Sequence, residues 1–147
     1  MVKKLTVLAL MMVMVLGLFG LGGCSSTLKI TDFEGLGTLP RNPSKIIFAT
    51  NSQNFYKDTE VYGDPIEYEI QSTKIAEVTE KLFSISYKAM DKNIKIDMSP
   101  IIRYLVFYDA DGSTWTVGLG LRRHNGRWYS PVHDEDLIAL LYESITK

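Results

Sequence analysis

Few side chains in this 147-residue chain could do chemistry, and they are unevenly placed. The one cysteine, Cys24, closes the stretch Leu21-Gly22-Gly23-Cys24 at the end of an apolar run from Leu5 to Leu21 in which Thr6 is the only polar side chain. Two positive charges, Lys3 and Lys4, precede that run. A thiol flanked by small residues and delivered by an apolar segment is set up for enzymatic modification at sulfur. The apolar run is short for a membrane-spanning helix, and glycines 20, 22 and 23 weaken a helix where a span would still need one. A single cysteine also means no disulfide, so the domain depends on its own core.

Charge, apolar length, small residues and cysteine together have the layout of a secretory signal that ends in a cleavage site. Leu21-Gly22-Gly23-Cys24 resembles the lipobox of bacterial lipoproteins. That resemblance implies diacylglyceryl transfer to the Cys24 sulfur, cleavage before Cys24 and acylation of the new amino terminus. It implies a membrane partner and an extracytoplasmic place in the cell envelope. Two acyl chains anchor stably where one holds only marginally, at ~0.8 kcal/mol per buried CH2. The resemblance covers residues 1–24, and Ser25 after the cysteine is not the aspartate that favours inner-membrane retention.

The remaining candidates read as structural. Asp109-Ala110-Asp111-Gly112 has the start of a calcium loop, but a strand-like run follows where further ligands are needed. His124 and His133 lack a partner at metal-binding spacing, so no metal and no cofactor is expected. There is no Gly-x-Ser-x-Gly elbow, and Gly118-Leu119-Gly120 lacks the third glycine and following helix of a phosphate loop. The expectation is a non-enzymatic binding domain. A small-ligand binder and, behind it, a small hydrolase are the alternatives. Cleavage would leave 14 basic against 17 acidic side chains, net −3, and an acidic exported domain does not suit nucleic acid. Arg122, Arg123, Arg127, Trp128 and Tyr129 form a basic, aromatic end suited to lipid headgroups, an anionic envelope polymer or another envelope protein.

Positioning these residues requires a domain. Residues 1–23 read as a removable signal, 24–43 as a tether and 44–147 as one α+β domain. The tether contains Gly35, Gly37, Pro40 and Pro43, and about 20 extended residues would reach roughly 65 Å. Leu28 to Phe33 alternates enough for part of it to pair as an edge strand. Strands are expected at 45–50 and 66–71, then an amphipathic helix over 73–83 capped by Ser72. A hairpin turning at Asp111-Gly112 and a second at Asn125-Gly126 follow, and a helix capped by Asp134 ends the chain. This order predicts an antiparallel sheet of about 4–5 strands with two helices on one face. It is similar to small envelope lipoproteins as a group.

The first hairpin fixes which side chains are inside. A two-residue turn at Asp111-Gly112 sets Tyr108 opposite Trp115, Val106 opposite Val117, Tyr104 opposite Leu119 and Ile102 opposite Leu121, an apolar core face. In the simplest register Trp128 joins that face beside Arg123, whereas a bulge would put Tyr129 there. Arg103, Leu105, Phe107 and Arg122 then lie on the other side with Thr116, Gly118 and Gly120, where alternation to polar residues fails. That surface is expected either to be covered by the tether, the first strand or a helix, or to be an open partner-binding patch with arginines at its margin.

Overall fold

The computed structural model describes residues 27–52, 63–96 and 101–146. The fold is α+β, as the alternation and helix signals predict. Seven strands run as β1 (Lys45–Thr50), β2 (Ile66–Glu69), β3 (Ser86–Ala89), β4 (Arg103–Tyr108), β5 (Thr114–Gly118), β6 (Arg122–His124) and β7 (Arg127–Val132). The helices are α1 (Ile75–Ser84) and α2 (Glu135–Ser144). Instead of one sheet there are two, both antiparallel: a four-stranded sheet in the order β2-β1-β4-β5 and a three-stranded sheet in the order β3-β7-β6. The division falls at Gly120, whose φ of 105° only glycine adopts without strain, so the strand begun at Thr114 ends at Gly118.

The β4–β5 hairpin departs from the expected register by one residue. Phe107 pairs with Trp115 and Leu105 with Val117. The loop is the reason. The Gly112 N–H donates to Asp109 O (3.1 Å), the Asp109 N–H donates to Ser113 O (2.9 Å), and Gly112 has φ 87°. This is a type I turn closed by a left-handed glycine, a three-residue loop with a bulge rather than a two-residue turn. The side-chain period of a strand is two, so the extra residue exchanges the two faces of β4 while Trp115 and Val117 of β5 stay on the core side. Leu105, Phe107 and Val117 are fully buried, while Tyr104, Val106 and Tyr108 are half-buried on the outer side with exposed Thr114, Thr116 and Gly118. On β5 the outer side alternates to polar or small residues as a solvated face does, whereas on β1 it carries Ile47 and Ala49, which are buried. The Asp109 and Asp111 carboxylates accept the N–H groups of Ala110 and Ser113, as turn aspartates do.

The stretch assigned to a tether is part of the core. Ile30, Phe33, Leu36 and Leu39 are between 0 and 6 % exposed and join one cluster with Ile46, Phe48, Leu105, Phe107, Val78, Leu82, Leu137 and Leu141. Leu28 forms an isolated antiparallel bridge with Tyr87, donating to its carbonyl (2.9 Å) and accepting from its N–H (2.8 Å). The expected weak edge pairing at Leu28 is therefore present as a single bridge, and the chain then turns through a 3-10 helix at Ile30–Asp32. Further on, the Trp115 indole N–H donates to the Thr38 hydroxyl at 3.2 Å. A run with this many glycines and prolines lacks long regular elements, but it still places an apolar side chain every few residues, and burying each is worth about 1.5–3 kcal/mol.

Both helices contribute to the same core. Phe48 on β1 meets Tyr142 of α2 edge to face at 5.3 Å, and the Tyr142 hydroxyl donates to Ser52 O at 2.6 Å. Val78 and Leu82 of α1 are fully buried. Neither Ser72 nor Asp134 caps its helix through a side-chain hydrogen bond: Ser72 begins a 3-10 turn leading into α1, and Asp134 occupies the N-cap of α2 with helical backbone angles. After α2 the chain returns to the first sheet, where Ile145 bridges Ile70 and Thr146 N–H donates to Glu69 O (3.0 Å).

Candidate functional site

Cys24 lies outside the described residues. Of the four residues expected to form a binding patch, Leu105 and Phe107 are 0 % exposed and belong to the core, so they offer no surface to a partner. The cover anticipated for that face includes the supposed tether. Arg103 continues the same inner face at the start of β4, paired with Thr50, and accepts the Leu119 N–H through its carbonyl. Arg122 stands at the start of β6 in the other sheet.

Each arginine is half-buried and packed on a ring. The Arg103 guanidinium carbon lies 5.9 Å from the centre of Tyr142, and that of Arg122 lies 5.4 Å from Phe33. Arg122 Nη2 donates to Gly118 O at 2.6 Å, which ties the second sheet back to the end of β5. The Nε atoms of both arginines are buried without a hydrogen-bond partner. Two titratable groups share this seam. Burial raises the Tyr87 hydroxyl above its ordinary range, against the pull of Arg122. Burial likewise raises the Asp134 carboxyl, with Glu135 adding to the shift and Arg103 opposing it. In both groups burial disfavours the charged form.

The three-stranded sheet has two distinct faces. Inward, Tyr87, His124 and Tyr129 surround Phe33, with ring centres 5.0, 5.9 and 6.0 Å away. The β6–β7 turn is the tight two-residue type, with Asn125 at φ 49° and Gly126 at φ 76°. Arg123 does pair with Trp128, as the simplest register requires, but this pair faces outward and Tyr129 is the buried residue. On that outer face the Arg123 guanidinium lies 5.9 Å from the Trp128 ring and Lys88 is exposed. A groove next to it is lined by Met90, Asp91, Lys92, Ile94, Arg127 and Trp128. It is held open by Met90, whose N–H donates to Trp128 O (2.8 Å) and whose carbonyl accepts Arg127 Nε (3.2 Å).

Elsewhere the chemistry-bearing residues are dispersed. His124 shares a hydrogen bond with the Asn125 amide at 3.1 Å, and His133 Nδ1 lies 3.3 Å from Glu135 Oε1. Among the described residues no three His, Cys, Asp or Glu side chains converge as a metal site would require. A cleft between α1 and α2 is lined by Glu77, Glu80, Asp136 and Glu143, with Lys81 bound to Asp136 at 3.0 Å. No helix among the described residues is long and apolar enough to cross a membrane.

Sequence reasoning found Arg123, Arg127 and Trp128 but passed over Lys88, Lys92, Ile94 and Lys95, which fall between the first helix and the first hairpin, where no element is expected. The signal was the spacing itself, since Lys92 and Lys95, following Lys88 on β3, are interleaved with Ile94 and Ile96 in a stretch without a helix or strand of its own. The chain matches no family model, no curated protein and no solved structure.

Proposed function

We propose that this protein is a lipid-anchored, extracytoplasmic binding domain of the cell envelope, held through Cys24 and acting by contact rather than by catalysis. The observation that carries the reading is the Leu21-Gly22-Gly23-Cys24 sequence, whose cysteine stands four residues before Leu28, a residue bridged to Tyr87. An anchor of two acyl chains gives stable attachment. The core takes up Leu105 and Phe107, and the loops left for contact are rich in charge. The histidines and paired acids serve turns, helix starts and ring packing, which favours binding over hydrolysis.

The test is made at the cysteine. Palmitate fed to expressing cells should label the protein, mass spectrometry should find Cys24 acylated at the amino terminus, and Cys24→Ala should leave the precursor unprocessed. A free Cys24 thiol in the native protein, or processing of the alanine variant at the same bond, overturns the reading.

A further inference from the structure

The bridge between Leu28 and Tyr87 fixes where an anchor on Cys24 can be. This step rests on the lipid-anchor reading above. In an antiparallel pair the chain enters Leu28 from the side on which β3 leaves Tyr87, so the amino-terminal side of Leu28 opens toward the Ala89–Asp91 end of β3. Lys29 confirms the direction, because its ammonium donates to Ser84 O (2.7 Å) and Ser86 Oγ (2.8 Å), on the other side of Tyr87. Cys24 is four residues from Leu28, a span of at most about 14 Å. The four residues from Tyr87 to Asp91 cover roughly the same length as strand. The anchor therefore lies within reach of the end of the second sheet where two turns project. These are Asp91–Ile94, closed by Ile94 N–H to Asp91 O (3.3 Å), and Asn125-Gly126.

That end has the composition of a surface that meets lipid headgroups. Lys88, Lys92, Lys95, Arg123 and Arg127 are all exposed or largely so, and the acid among them, Asp91, already accepts the Asn93 N–H at 3.1 Å. Ile94 is 52 % exposed at the tip of its turn, and half-buried Trp128 lies beside it in the same groove. Cations that reach headgroup phosphates, a tryptophan at the depth of the carbonyls and one protruding aliphatic side chain are the means by which interfacial surfaces bind anionic bilayers. A protein held by a long tether would gain little from such a surface, whereas one held within four residues presents it to the bilayer continuously.

We infer that the domain sits directly on the membrane, with the 88–95 segment and the β6–β7 turn seated on anionic phospholipid headgroups. The anchor and this surface form a two-part attachment that fixes the orientation of the domain on the bilayer. The ligand is the anionic lipid surface itself, in preference to a soluble or wall-bound polyanion, because the covalent reach from Cys24 delivers this end of the sheet to the bilayer.

The experiment uses the full chain, purified in its processed form and reconstituted into vesicles of phosphatidylcholine alone or with one-third phosphatidylglycerol. Ile94→Cys supplies a single thiol for an environment-sensitive fluorophore, since Cys24 is acylated and no other cysteine exists. With phosphatidylglycerol the fluorophore should shift to the blue and be quenched by spin-labelled lipid, and both effects should fall at least about twofold in high salt or in a Lys92→Glu, Lys95→Glu variant of unchanged thermal midpoint. A fluorophore equally exposed to water in both vesicle types, on protein whose Cys24 is shown by mass spectrometry to be acylated, overturns the seating while leaving the anchor intact. Protection that arises only on adding an anionic wall polymer overturns the lipid assignment in favour of that polymer. Absence of acyl chains on Cys24 removes the anchor and the seating together.

Discussion

Phe107→Ala and Val106→Ala distinguish the two possible registers of the central hairpin. Phe107 is 0 % exposed, paired with Ile46 on one side and Trp115 on the other, within the main core cluster. Removing such a ring costs the transfer of its carbons plus the unfilled space left behind, together about 3–5 kcal/mol. Val106 faces outward between Ile47 and Thr116 and is only half-buried, so its truncation should cost about 1 kcal/mol. In a domain of this size 1 kcal/mol moves the thermal midpoint by roughly 3–6 °C. The phenylalanine variant should thus melt at least about 10 °C lower, and the valine variant within a few degrees of the parent. Urea unfolding followed by far-ultraviolet circular dichroism should show the same order with unchanged m-values. A larger loss for Val106→Ala than for Phe107→Ala would mean that the turn is the two-residue type and that the arginine-margined face is open after all.

Two further outcomes follow from the packing and the seam. Residues 44–147 expressed alone should not unfold cooperatively, because Ile30, Phe33, Leu36 and Leu39 contribute about 1.5–3 kcal/mol each against a total stability of about 5–15 kcal/mol. A sharp thermal transition and native-like amide exchange in that fragment would contradict this. Asp134→Asn should stabilise the protein at pH 7 by less than about 1 kcal/mol, since solvent still screens half the carboxyl. Burial raises its folded pKa above the ordinary carboxylate value, so the folded state holds the proton more tightly and ionisation at neutral pH costs stability. The difference between variant and parent should shrink as pH falls through the folded pKa and vanish below the ordinary one. Thermal midpoints at pH 7 and near pH 3 measure this, and a gap that widens on acidification would be the wrong sign.

Local pattern made most elements legible, and one loop residue decided the rest. The period of 3.6 in Ile75, Val78 and Leu82 placed α1, because that signal lies within one element, whereas β3 was missed, because Ile85 and Ala89 fit both the helical stripe and a strand's alternation. Asn125-Gly126 was legible for the same reason, since both residues take positive φ. Asp111-Gly112 was not, because a tight turn and a type I turn with a left-handed glycine share that dipeptide and differ only in where the loop begins. Choosing wrongly moved Leu105 and Phe107 from the core to the surface and produced a binding patch that the packed chain does not have. The role of residues 28–43 was hidden for another reason. Glycine and proline mark the absence of regular structure, and irregular backbone can still be buried when its side chains have a sheet face to fill.

The packing of residues 28–43 also bears on the order in which the chain becomes structured. Thr38 meets Trp115 across 77 residues of sequence, Lys29 meets Ser86 across 57, and Phe33 awaits Tyr129 on β7. Contacts this far apart form slowly, because long loops must close before they are rewarded. A chain that emerges through an export channel amino end first cannot complete this core until β7 has followed. On the proposed lipid-anchor reading, it would stay threadable throughout translocation, and modification at Cys24 would precede folding with no tertiary structure to undo. Collapse would then begin on a chain already confined to two dimensions at its amino end, with its last strands closing over its first residues.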